Sequence, residues 1–267
     1  MGTWRWLLIL GLLAPLGCSD IETPEGDPAA EDDIDPAFFE NELEFKNNGS
    51  LRTVGDLIRA RACSTAPANR LSMQIAQEMA CLAPAQWARI DRLPNVSFGP
   101  AAYPFLSDDA AAAFERAAAT GRPISVTSTW RSVAQQHILK SWEGSCGIGV
   151  AATPGRSMHQ SGLAVDTTAY ADATVRNALK SAGFTWYCDQ RNGGRISGCA
   201  DPVHFTFYGG NDLRPLAVRA FQALWNRNKP AAERLTVDGD WGPATRRALD
   251  QALLDGFRVV GNCGLDF

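Results

Sequence analysis

Histidine is scarce in this 267-residue chain, with three copies, and none of its seven cysteines belongs to a CxxC pair. The missing pairs argue against a structural zinc knuckle, whose thiolates come at short fixed spacings. Long apolar runs are also rare. The one such run, Leu7 to Gly17, is too short to cross the ~30 Å hydrocarbon layer of a bilayer as a helix, which excludes a polytopic membrane protein. No Lys/Arg stripe is present to follow a phosphate backbone, so a nucleic-acid partner is not expected. With 45% hydrophobic and 20% charged residues, the chain is neither collagen-like nor low in complexity, and it can build a packed core.

What is present begins with an export signal. Arg5 precedes the apolar run, and the signal ends in Pro15-Leu16-Gly17-Cys18, which resembles the lipobox of bacterial lipoproteins. That resemblance implies a lipid on Cys18, a membrane anchor and an envelope or periplasmic location. Residues 19 to 46 carry eleven acids and a single Lys, with too little apolar surface to offset the entropy of ordering; they read as a disordered spacer. Setting aside Arg5, Lys46 and those acids leaves 23 basic and 18 acidic side chains, a body of +5 within a chain of −4. A mildly cationic body suits an anionic polymer such as cell wall.

The six cysteines beyond Cys18 suggest three disulfides in an exported protein, among 15 formal connectivities. Cys188 and Cys199 bracket the Gly-rich segment Asp189 to Gly198 and form the best pair.

Apolar residues recur at helical spacing between Leu51 and Ile90, as in Leu71, Ile75 and Met79, predicting a helical preface over 47–104. Helices are predicted for Ser107 to Ala119, Val133 to Trp142 and Ala171 to Ala182. Strands are predicted for Ile124 to Thr129, Leu163 to Thr168, Phe184 to Cys188 and His204 to Tyr208. A helical unit follows over 211–267. Without a regular βαβ repeat, the expected class is α+β: a small antiparallel sheet carrying the site in 105–210, packed with helices.

Two of the histidines sit in polar contexts that fit together chemically. The first context is Ser157-Met158-His159-Gln160-Ser161-Gly162-Leu163-Ala164-Val165-Asp166, and the second is Asp201-Pro202-Val203-His204. Two imidazoles and one carboxylate supply three ligands to Zn²⁺ and leave a fourth position open, as a catalytic centre requires. Asp201, three residues before His204, is the candidate general base. His137 lies in a predicted helix and reads as a structural histidine.

These segments resemble the zinc D-alanyl-D-alanine carboxypeptidase family, marked by SxHxxGxAxD and by an acid three residues before a second histidine. The upstream element of that family, an Arg after a strand with a nearby Gln, is similar to Thr127-Ser128-Thr129-Trp130-Arg131-Ser132 with Gln135. The resemblance spans about residues 105 to 208. It implies zinc held by His159, Asp166 and His204, Asp201 as base, Arg131 stabilising the oxyanion, and Ser157 and Gln135 toward the substrate. Many members have Glu where Asp201 stands. The implied activity is hydrolysis of D-Ala-D-Ala or related D-amino-acid bonds in peptidoglycan stem peptides by a monomer. Cleavage of cross-links or L,D bonds, or a non-catalytic wall-binding lipoprotein, are the alternatives. From Val218 to Thr245, including Asp238-Gly239-Asp240-Trp241-Gly242-Pro243-Ala244-Thr245, the chain is similar to the peptidoglycan-binding helical module.

Overall fold

The computed structural model describes residues 51–84, 86–261 and 263. The expected signal, Cys18 and the acidic spacer lie outside them. The fold is α+β. Helices α1 (Val54–Ala60) and α2 (Asn69–Leu82) come first. The short strands β1 (Trp87–Arg89), β2 (Val96–Phe98) and β3 (Phe105–Ser107) follow. Then come α3 (Asp108–Ala118), β4 (Ile124–Ser128) and α4 (Val133–Ser141). After a 3₁₀ turn at Met158–Ser161 the chain forms β5 (Ala164–Thr167), α5 (Ala173–Ser181) and β6 (Phe184–Trp186). The remaining elements are α6 (Tyr187–Asn192), β7 (His204–Phe207), α7 (Arg214–Arg227) and α8 (Pro243–Gln251).

The main sheet has the order β2-β4-β5-β7-β6, with β1 and β3 forming a separate pair. It is mixed rather than antiparallel throughout, because β2 runs parallel to β4 at one edge. The three-residue strands β1 to β3, set among prolines, are too short for alternation to reveal them against the helical spacing on either side. The strand expected over Phe184 to Cys188 ends at Trp186, and the loop expected over Asp189 to Gly198 begins inside α6, with Cys188 buried at that helix's first turn.

Side chains alternate across each strand, and the sheet uses the alternation to separate core from site. Val165 and Phe205, paired across β5 and β7, are buried with Phe114, Val175 and Leu179 of the covering helices. Their neighbours Asp166 and His204, also paired, point to the opposite face. A second core joins the helices before the sheet to those after it. Leu71, Ile75 and Met79 of α2 are wholly buried with Phe221 and Leu224 of α7. Each such side chain contributes about 1.5–3 kcal/mol by leaving water.

Disulfides close this arrangement as Cys63–Cys146, Cys81–Cys263 and Cys188–Cys199. Three of them place the folded body in an oxidising, extracytoplasmic compartment. No helix among the described residues is long and apolar enough to cross a membrane. In the chain-entropy account the Cys81–Cys263 bridge, closing 182 residues, contributes about 5 kcal/mol and the 11-residue Cys188–Cys199 bridge about 3 kcal/mol. Denaturant unfolding of Cys81→Ser/Cys263→Ser and Cys188→Ser/Cys199→Ser proteins should show that order; equal losses would contradict it.

His137 is structural. Its Nε2 lies 2.7 Å from Asp250 Oδ1 on α8, and its ring centroid is 5.1 Å from that of Trp241. Burial lowers its pKa below the ordinary 6.5, opposed by Asp250 and aided by Arg246. Below pH 6.5 the unfolded chain therefore binds this proton more readily than the folded one. Stability from this group is complete above that pH and is lost as the pH falls through the native value. Urea titrations between pH 5 and 7 should show stability rising with pH, with a smaller slope in His137→Gln.

Candidate metal site

Three segments deliver the site. Ser157 caps the 3₁₀ turn, its Oγ accepting from the His159 N–H at 3.3 Å. Gly162 ends that turn at φ +67°, and a Cβ there would stand 2.7 Å from Ser107 N and 2.8 Å from a Trp87 ring carbon. Only glycine fits both the left-handed backbone and the close approach. The turn places His159 beside Asp166, which β5 holds opposite His204 of β7.

One ring nitrogen each of His159 and His204 and an Asp166 carboxylate oxygen all lie within 4.8 Å of one another, and the three residues could hold a metal ion. His159 Nε2 is 3.2 Å from Asp166 Oδ2, and His204 Nδ1 is 2.8 Å from Asp166 Oδ1. The other nitrogens are also engaged. His159 Nδ1 lies 2.6 Å from the Thr129 carbonyl, and His204 Nε2 lies 3.0 Å from Thr206 Oγ1. Such outer partners orient metal-binding imidazoles and fix their tautomers.

The Thr129 contact supplies a test of whether a cation fits. A carbonyl oxygen only accepts, so Nδ1 of His159 carries the hydrogen and the neutral ring aims a bare Nε2 lone pair at a carboxylate oxygen. Two electron-rich atoms 3.2 Å apart need a proton or a cation between them. Burial, with help from the Arg131 charge, pushes the His159 pKa down to about 4, which favours the neutral ring. Burial alone would raise the Asp166 carboxyl, but the His204 contact and the Arg131 guanidinium hold it well below the usual range. A neutral imidazole beside an ionised carboxylate is the protonation state a divalent cation requires.

Arg131 reaches the same carboxylate, Nη2 to Asp166 Oδ2 at 2.7 Å, while its Nε donates to Ser128 Oγ at 2.9 Å. Trp130, buried and edge-on to Trp87, Tyr103 and Phe105, anchors that stretch of backbone. A bulge in β4 before Ser128, the partner of Asp166, turns the strand end toward the cleft.

The cleft has a volume of about 700 Å³, and Arg131, Ser157, His159, Asp166, Asp201 and His204 all line it. Burial raises the Asp201 pKa above 3.8, and the nearby Asp166 charge adds to the shift. Gln135 does not line the cleft: its Nε2 donates to Thr65 Oγ1 and the Ala101 carbonyl, both at 3.1 Å. Gln136, one residue on, does line it. A helix turns about 100° per residue, so neighbouring positions face different ways, and the α4 register alone does not say which of the two is inward. Thr206 could have been found from the sequence, since residues two apart on a strand share a face. The Ser128 and Thr129 contacts depend on strand pairing and carry no local signal.

No protein-family model matches the chain, and no curated protein matches it at a significant level.

Proposed function

We propose that the protein is an exported zinc metallopeptidase that hydrolyses D-Ala-D-Ala or related D-amino-acid bonds in peptidoglycan stem peptides. The observation that carries this reading is the convergence of His159 and His204 on the Asp166 carboxylate, at 3.2 and 2.8 Å, with Asp201 lining the same cleft. Two nitrogens and one oxygen form a donor set suited to Zn²⁺. When bound, the ion supplies Lewis acidity that polarises a scissile carbonyl and makes a neighbouring water easier to deprotonate.

The remaining work falls to side chains. Asp201 takes a proton from the attacking water and returns it to the leaving amine nitrogen. The N–H groups of Arg131 not engaged by Asp166 and Ser128 stabilise the oxyanion. Ser157 borders the substrate on the turn that carries His159. A lipid on Cys18 would hold this monomer at the membrane, with the acidic spacer giving reach toward the wall.

The test is incubation of purified protein with a D-Ala-D-Ala stem peptide, with and without a chelator. Release of D-alanine that stops on chelation and returns with zinc is expected; no release from zinc-loaded protein would refute the carboxypeptidase reading. A cleft open to longer chains also suits cross-link cleavage, and mass analysis of digested sacculi separates the two.

A further inference from the structure

A second recess, of about 630 Å³, lies where the loop Thr153–Arg156 meets the C-terminal helices. Pro154 and Gly155 line it on one side, and Pro215, Gly239 and Trp241 on the other. Arg156 borders both this recess and the metal cleft. The two are therefore neighbours through one exposed arginine.

The backbone around Arg156 is fixed. Its N–H donates to the Thr153 carbonyl at 2.9 Å, and its carbonyl accepts from Arg214 Nη1 at 3.2 Å. Two buried glutamines brace the loop from below: Gln136 Nε2 donates to the Ala152 carbonyl at 2.8 Å, and Gln160 Oε1 accepts from Gly155 N–H at 2.8 Å. The turn on the far side is equally constrained. Buried Gln222 bonds Asp238, Gly239, Asp240 and Thr245 together. Gly239, at φ +83°, leaves no room for a Cβ against the Pro215 carbonyl, 2.8 Å away.

The charges nearby are already spent, with few exceptions. Two arginines and two aspartates line the metal cleft, and Arg131 is committed to Asp166. In the second recess Asp212 is committed to Arg214 at 2.6 Å, which leaves Asp240. The Arg156 guanidinium makes no hydrogen bond or ion pair among the described residues. A fixed backbone carrying an uncommitted planar fork of donors is arranged to grip a carboxylate.

We propose that Arg156 and the recess beyond it form a second substrate subsite, in which the guanidinium binds a carboxylate of the peptide and the next part of the substrate lies against Trp241. This deepens the peptidase reading and rests on it for the identity of the peptide. The carboxylate is either the C-terminal one or a side-chain one of the stem.

The experiment is calorimetric binding of three stem peptides to zinc-loaded Asp201→Asn protein, with and without Arg156→Gln. One peptide keeps all carboxylates, one has a C-terminal amide, and one has side-chain amides. Loss of a charge-assisted bond should weaken the first peptide about 10- to 100-fold in Arg156→Gln, with partial rescue by Arg156→Lys. Whichever amide binds the parent as weakly as the first peptide binds the variant identifies the carboxylate. Binding within two-fold for all three peptides, or no binding to the parent, would overturn the subsite. Arg156-dependent binding without any cleavage by wild-type protein would retain the subsite and remove the peptidase reading.

Discussion

An Asp201→Asn protein is expected to keep its zinc and to lose roughly 10²- to 10⁴-fold in kcat on a D-Ala-D-Ala stem peptide, the usual contribution of a positioned proton acceptor. The amide has nearly the shape of the carboxylate but cannot take a proton, so the change isolates the chemical step from the metal site. Asp201 lies outside the His159, Asp166 and His204 group, and metal analysis should therefore give the wild-type stoichiometry. The pH profile adds an independent check. Burial and the Asp166 charge raise the Asp201 pKa above 3.8, and a base works only when deprotonated. Activity should accordingly rise with pH along an acid limb displaced above that value, and the Asn variant should lack the limb. Unchanged kcat, or loss of metal along with activity, would reject Asp201 as the base.

Zinc at 100 times its dissociation constant should raise the melting temperature by roughly 5–11 °C over chelator-treated protein. Ligand present at that excess stabilises the folded state by about 2.7 kcal/mol, and a body of this size shifts about 2–4 °C per kcal/mol. The reason is local: zinc would sit between the His159 ring nitrogen and the Asp166 oxygen, which face each other at 3.2 Å, and tie both to His204. His204→Ala and Asp166→Ala should each abolish the shift. His204→Ala is the cleaner of the two, since Asp166→Ala also strips Arg131 of its partner. The shift is read without any substrate, so it tests the site separately from the reaction. A wild-type melt indifferent to zinc would mean that these three side chains do not share an ion.

Much of the site was visible in one dimension because its parts are local. His159 to Asp166 spans one turn and one strand, and Asp201 to His204 spans one turn. Short polar motifs with a glycine at the required bend survive as patterns whatever surrounds them. The Cys188–Cys199 pair was visible for the same reason, since 11 residues of Gly-rich chain return on themselves. The other two bridges close 83 and 182 residues, and no local pattern distinguishes them from other connectivities. Gln135 against Gln136 shows the limit within a single element. Adjacent helix positions differ in direction by about 100°, and the packing of α4 against Thr65 and Ala101 chose which amide turned away from the cleft.

By itself the sequence determined the α+β class, the longer helices and strands, and the identity of the three residues that could hold a metal. Periodicity, turn chemistry and donor type are properties of neighbouring residues. Only the tertiary structure decided the parallel edge strand, the tautomer imposed on His159 by the Thr129 carbonyl, and the recess that opens beside Arg156. Each of those depends on atoms far apart in the chain that meet because two cores, one under the sheet and one joining α2 to α7, bring their elements together.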